Sequence, residues 1–140
     1  MKVRTLLVML PERQYPLARI LKDNGMEVVA TGNFLEAQRK LEEAGSYDLV
    51  LVDADLPGGS WKMLIESILE TQRSCEVIVC ARLADEHLWA EVLQCGVYDL
   101  IPEPYDEREV ARIARCAVDS QYLRRFGRAA TSPPAVRKAS

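Results

Sequence analysis

Short unbroken apolar runs alternate along this chain with longer stretches in which apolar residues recur every three or four positions. The runs are VRTLLVML, MEVVAT, DLVLVD, CEVIVCA and VYDLI. Their length and their branched aliphatic content predict strands, and the lack of polar alternation predicts that the inner ones are covered on both faces. The longer stretches predict helices over 13–24, from Asn33 to Gly45, and over 60–73, 85–95 and 107–125. Their inner faces are Leu17, Ile20 and Leu21; Phe34, Ala37, Leu41 and Ala44; Trp61, Leu64, Ile65 and Ile68; Leu88, Val92 and Cys95; and Val110, Ile113, Ala114, Ala117 and Val118. Pro11 ends the first strand, and Pro16 fits only a first helical turn. Asn33 with Glu36, and Asp106 with Glu109, have the spacing of capping boxes. Gly25, Gly45 and Gly96 stand where helices stop.

Five strands alternating with five helices predict parallel β-α units. Right-handed crossovers with helices on both faces lead to a doubly wound five-stranded sheet ordered 2-1-3-4-5. At 140 residues the chain is expected to form one domain, spanning 1–126. Residues 127–140, rich in proline, small residues and basic charge, read as a disordered tail or linker. No run of about 18 apolar residues occurs and no signal-peptide pattern opens the chain, so the expected location is the cytoplasm.

Charge is uneven. Residues 121–140 hold five of the eighteen basic residues and none of the twenty-one acidic ones. The acidic body argues against direct nucleic-acid contact by the domain. Cys75, Cys80, Cys95 and Cys116 lack metal-site spacing and read as reduced thiols packed as small hydrophobes. The one histidine, His87, reads as a helix-surface residue.

The candidate chemistry lies where the strands end. In the expected topology Met9, Leu10, Asp53, Cys80 and Glu103 share the rim at the switch point. DLVLVDADLPGGS resembles the phospho-acceptor segment of response-regulator receiver domains, and GVYDLIPEPY resembles the segment ending their fifth strand. The resemblance runs from about Val3 to Val118 and implies the flavodoxin-like or CheY-like fold, with a place in two-component signalling. It also implies a pocket of five groups. These are an acceptor carboxylate, an acidic pair holding Mg²⁺, a hydroxyl after the fourth strand and a lysine after the fifth. Phosphoryl transfer needs such groups for positioning and charge neutralisation.

Carried over residue by residue, the acceptor position is Asp53, while the acidic pair falls on Met9 and Leu10, the hydroxyl on Cys80 and the lysine on Glu103. The aromatic switch position falls on Leu100, with Tyr98 close by. Glu in place of Lys turns attraction to Asp53 into repulsion, each interaction being about 4 kcal/mol at ~4 Å and an effective dielectric of ~20. The expectation is a receiver that signals by protein contact, with little or no conventional Mg²⁺-dependent phosphorylation and with no cofactor or enzymatic activity. The alternative is a conventional phosphorelay receiver, phosphorylated on Asp53 by a histidine kinase, with Mg²⁺ as its cofactor and an output domain or partner downstream. A rival reading makes Asp53, Asp55 and Glu103, with Glu12, a different acidic cation site, although Asp55 is expected to face away from Asp53. A structural reading leaves Asp53 as a turn cap.

The resemblance also singles out the face made by helix four, strand five and helix five. Glu86, Glu91 and Asp99 are set there against Arg108, Arg112 and Arg115. Opposite charges on neighbouring elements suit a self-complementary homodimer, against the plainer reading of solvated helix charges.

Overall fold

A computed structural model describes residues 2–43, 47–56, 61–71 and 75–126, apart from the side chains of 124–126. The strands are β1 (Val3–Val8), β2 (Met26–Thr31), β3 (Leu49–Asp53), β4 (Glu76–Ala81) and β5 (Asp99–Pro102). The helices are α1 (Pro11–Asp23), α2 (Phe34–Glu42), α3 (Trp61–Thr71), α4 (Glu86–Gln94) and α5 (Glu107–Phe126). All strand pairs are parallel, and the order is β2-β1-β3-β4-β5, as the periodicity predicts.

Every residue of β3 and β4 is buried, because helices cover both faces of the sheet. One core layer joins Leu6, Val50, Val52 and Val79 to α2, α3 and α4 through Leu41, Leu64, Ile68 and Val92. The other joins Leu7, Leu51, Ile78 and Ile101 to α1 and α5 through Leu17, Leu21, Val110 and Ala114. The expected inner faces are therefore the packed ones, with Phe34, Leu88, Cys95 and Val118 only partly buried. Gly25 and Gly96 take φ of 82° and 84° after α1 and α4, a region that suits glycine at a helix end. Among the described residues no helix is long and apolar enough to cross a membrane. The expected tail over 127–140 lies outside the described residues, as do Ala44, Gly45 and the turn over 57–60.

Local details differ from the sequence expectation at several points. Pro11 does not merely end β1; it occupies the first turn of α1, where a missing N–H costs nothing. Pro16 lies inside α1, beyond that first turn. Asn33 caps α2 by accepting from Glu36 N (2.9 Å), but the Glu36 carboxylate accepts from Gly32 N (2.7 Å), one residue earlier than a capping box requires. Asp106 accepts from Glu109 N (3.0 Å), while the Glu109 carboxylate turns to Arg112 (2.7 Å) instead of reaching back. The four cysteines are also not alike: Cys75 and Cys80 are buried, Cys95 is half-buried and Cys116 is exposed.

Candidate functional site: an arginine among three carboxylates

The C-terminal ends of β1, β3, β4 and β5 meet at one rim, and each contributes a side chain the sequence singles out. Met9 follows β1 and is fully buried. Its backbone N–H continues the ladder to Thr31 O (3.1 Å), and its carbonyl accepts from Gln14 Nε2 (2.7 Å). Leu10 is the residue before α1 and supplies no side-chain cap. Asp53 ends β3 beside Cys80 on β4, in direct register. Glu103 follows β5, its N–H bonded to Ala81 O (2.9 Å), and the Glu103–Pro104 bond is cis.

Asp53 is buried to 1% exposure, and both of its carboxylate oxygens are engaged. Oδ1 accepts from Asp55 N (2.9 Å), so Asp53 does cap its own turn. Oδ2 accepts from the guanidinium of Arg13, on the first turn of α1. The same guanidinium donates through Nη2 to Glu103 Oε2 (2.7 Å) and lies 3.6 Å from Asp55 Oδ2. Asp55 therefore turns toward the site, contrary to the expectation that it faces away. A further bond from Arg82 N (3.1 Å) to its Oδ2 holds it there.

Arg13 is the functional residue that sequence reasoning missed. It overturns the picture of a rim with no cationic partner. Glu103 stands where the resemblance implies a lysine, and a forked cation from α1 stands between Glu103 and Asp53. The fork suits this job, because a planar guanidinium offers several N–H donors in fixed directions. A cation in the first turn of a helix opposes the helix dipole. That unfavourable placement was the available signal, because nearby carboxylates would offset it.

Burial sets the protonation chemistry. Desolvation pushes the Asp53 carboxyl above its ordinary 3.8, against the opposing pull of the Asp55 N–H and of Arg13. The Arg13 guanidinium remains fully protonated between its acidic partners. Burial, with Asp53 adding to it, pushes the Cys80 thiol far up, so it is no ready nucleophile. Tyr105 packs beside the same cluster, its hydroxyl buried and meeting no hydrogen-bond partner among the described residues, and burial raises it as well.

The residues present do not fit the hard cation that the resemblance implies. Such an ion asks for several oxygen ligands. Met9 and Leu10 offer none, and the oxygens of Asp53 are already bonded. Among the described residues no group of three or more acidic, histidine or cysteine side chains is placed to hold a metal ion. The rival acidic site of Asp53, Asp55 and Glu103 exists as a cluster, but it closes on a guanidinium. Glu12, the first-turn acid of α1, is not among the partners of that guanidinium.

The α4-β5-α5 face carries a groove of about 550 Å³. Trp89, Leu93, Tyr98, Pro102, Pro104 and Ile113 form its apolar lining, with Asp99, Asp106, Glu109 and Arg112 around them. Of the six charged residues expected to form this face, Asp99 and Arg112 line the groove, and Glu86 is exposed at the start of α4 outside its lining. Glu91 is drawn to Lys62 of α3, and Arg115 reaches Asn24 O (3.2 Å) beside α1. Arg108 is exposed on α5 but does not line the groove. Arg112 is paired within its own helix to Glu109. The expected row of free opposite charges is thus mostly satisfied within the chain. Leu100, at the aromatic switch position, is a buried core residue, while Tyr98 lines the groove.

Comparison with known proteins places this geometry. The model of the response regulator receiver domain family matches residues 12–115. The chain is 28% identical over 95 residues to the chemotaxis protein CheY of Listeria monocytogenes, covering 67% of this chain and 79% of that protein. It is 30% identical over 100 residues to the sensor protein GacS of Pseudomonas syringae, where the match spans only 11% of that longer protein. Among solved structures it resembles a CheY-like response regulator receiver domain protein from Methanospirillum hungatei, with a TM-score of 0.78, 22% identity and coverage of 89% and 99%. A response regulator from Thermotoga maritima superposes with a TM-score of 0.73, at 25% identity and coverage of 84% and 98%.

Proposed function

The chain belongs to the response regulator receiver family of two-component signalling, and from that premise we propose that it works as an atypical receiver, by protein contact and not by Mg²⁺-dependent phosphorylation. The observation that carries this reading is the Arg13 guanidinium gripping Asp53 and Glu103 at once. A divalent cation at this rim would meet a fixed positive charge and a carboxylate whose oxygens are bonded. A phosphoryl group on Asp53 would first have to break the bond to Arg13. In this reading the domain turns over no substrate, needs no cofactor and makes no direct contact with nucleic acid. Its partner is a protein or an output domain. The test is incubation with acetyl phosphate or phosphoramidate, with and without Mg²⁺, followed by intact mass measurement. No stoichiometric adduct is expected; Mg²⁺-dependent labelling of Asp53 would replace this reading with conventional phosphorelay.

One observation favours that second reading. Arginine is a good bidentate ligand for phosphate, so a guanidinium beside Asp53 could serve an acyl-phosphate in place of lysine. Phosphotransfer from a cognate histidine kinase separates the two. For the face around the groove, the partner we propose is a second copy of the chain, since one surface combines the apolar lining of Trp89, Leu93, Tyr98 and Ile113 with a rim holding charges of both signs, as a self-complementary contact requires. Sedimentation at high concentration and low salt should then show a dimer; a monomer throughout would remove the idea.

A further inference from the structure

The segment that follows β5 is two-sided. Pro102, Pro104 and Asp106 line the groove on the α4-β5-α5 face. The residues between them look the other way. Glu103 is bonded to Arg13, and Tyr105 packs with the inner layer that contains Cys80 and Met9. A force on the Glu103 carboxylate is therefore passed through one covalent step to both prolines of the groove wall. Asp106, two residues past Pro104, also caps α5 through Glu109 N (3.0 Å), which fixes the far end of the segment.

We propose that Arg13 is a positioning residue for this groove: one arm of its guanidinium anchors on Asp53, the other holds Glu103, and the wall made by Pro102–Asp106 takes its shape from that grip. The anchor is firm because Asp53 is buried and tied to its own turn. The held residue is less fixed, because the Glu103 side chain is 32% exposed and would otherwise turn toward water. The start of α1 thus sets the geometry of a surface belonging to α4, β5 and α5. This inference holds whether or not Asp53 accepts a phosphoryl group, so it stands or falls apart from the function proposed above.

The test is backbone and indole ¹H–¹⁵N spectroscopy of the full chain. Trp89 of α4 lines the groove, so its indole N–H serves as a reporter from an element other than the Pro102–Asp106 segment. In Arg13→Gln, the signals of Ile101, Glu103, Tyr105 and Asp106 and the Trp89 indole should shift. In Glu103→Gln, which keeps an acceptor but loses the charge, the same signals should move in the same direction by less. Asp55→Asn is the control: Asp55 also faces Arg13 but lies outside the groove lining, so those signals should stay in place. Should Arg13→Gln fail to fold, the triple variant Arg13→Met, Asp53→Asn, Glu103→Gln removes the charges together and is read in the same way. Shifts confined to the ends of β1 and β3, with Trp89 and 101–106 unmoved in whichever variant folds, would overturn the proposal. So would equal groove shifts in Asp55→Asn.

Discussion

Among the described residues each end of the sheet buries one carboxylate, and the bonds that hold the two differ. At the C-terminal end Asp53, 1% exposed, meets a full positive charge brought by α1, 40 residues away in the chain. At the N-terminal end Glu76, 4% exposed, accepts a hydroxyl bond from Ser120 of α5 (3.0 Å). At the same end Asp48 accepts from Arg4 N (2.8 Å), Arg4 stacks over Tyr47 at 4.6 Å, and among the described residues the buried Gln121 Nε2 meets no acceptor. The N-terminal end stitches backbone and helix together. The C-terminal end gathers three carboxylates around one cation, which charge burial alone would not favour. Several carboxylates meeting one largely buried guanidinium is the kind of ionic arrangement that gathers at functional sites.

The largest expected effect comes from breaking the charged end. Arg13→Ala removes one partner of a buried pair and leaves Asp53 uncompensated, which should cost about 3 kcal/mol. In urea this is a fall in midpoint of roughly 1–2 M. Asp53→Asn should cost far less, about 1 kcal/mol, because an amide oxygen can still accept and Arg13 keeps Glu103. If the two variants cost the same, the guanidinium is not the element that makes a buried Asp53 tolerable. The contrast between the two ends would then lose its electrostatic basis.

The pH dependence should follow the same division. Burial places the folded Asp53 carboxyl above its ordinary 3.8, so the folded state holds its proton more readily than the unfolded chain. The stability this contributes is fully present below 3.8 and is lost as pH rises through the folded value. Asp53→Asn abolishes that loss, so the variant should gain on the wild type as pH climbs from below 3.8 toward neutrality. Arg13→Ala should lose stability more steeply over the same range. Urea titrations at several pH values check this; a wild type that instead gains relative to Asp53→Asn would reverse the assigned direction.

How much of this was legible in the sequence follows from what each feature depends on. Order, layers and inner faces were readable because periodicity reports burial directly, as in the unbroken runs of β3 and β4. The rim positions of Met9, Leu10, Asp53, Cys80 and Glu103 were readable because strand ends are fixed by the same pattern. Arg13 was not, since a single charged residue has no period. Its position also turned on whether α1 begins at Pro11 or two residues later. Reading Pro11 as a first-turn proline would have set Arg13 over the rim. The charges expected on the groove face failed for a related reason. A sequence shows that Glu91 and Arg115 are on helices, but not that Lys62 and the carbonyl of Asn24 lie within their reach.

At the N-terminal end a smaller loss is expected. Ser120→Ala removes one hydrogen bond to Glu76 and should cost about 1 kcal/mol. It should leave the pH difference between wild type and Asp53→Asn untouched, because the two ends share no partner in the described bonds. A change in that difference would mean that the ends are coupled through β4.

The finest test uses thiols as markers of the two ends. Cys75 stands just before β4 and Cys80 near its end, and both are buried. Cys75 donates to Glu76 O (3.5 Å), while Cys80 sits against Asp53 and is pushed far up by burial. In the folded wild type, iodoacetamide should label exposed Cys116 first, half-buried Cys95 later, and Cys75 and Cys80 only through opening of the structure. Global unfolding exposes both buried thiols together, so it changes their two rates in common. Local opening at the rim exposes Cys80 alone. Arg13→Gln should therefore raise the labelling rate of Cys80 relative to Cys75, and Ser120→Ala should shift the ratio the other way. Peptide mapping by mass spectrometry gives both rates in one sample. A ratio that stays fixed in both variants would show that the sheet opens as one unit and that its two ends, though held by different chemistry, do not come apart separately.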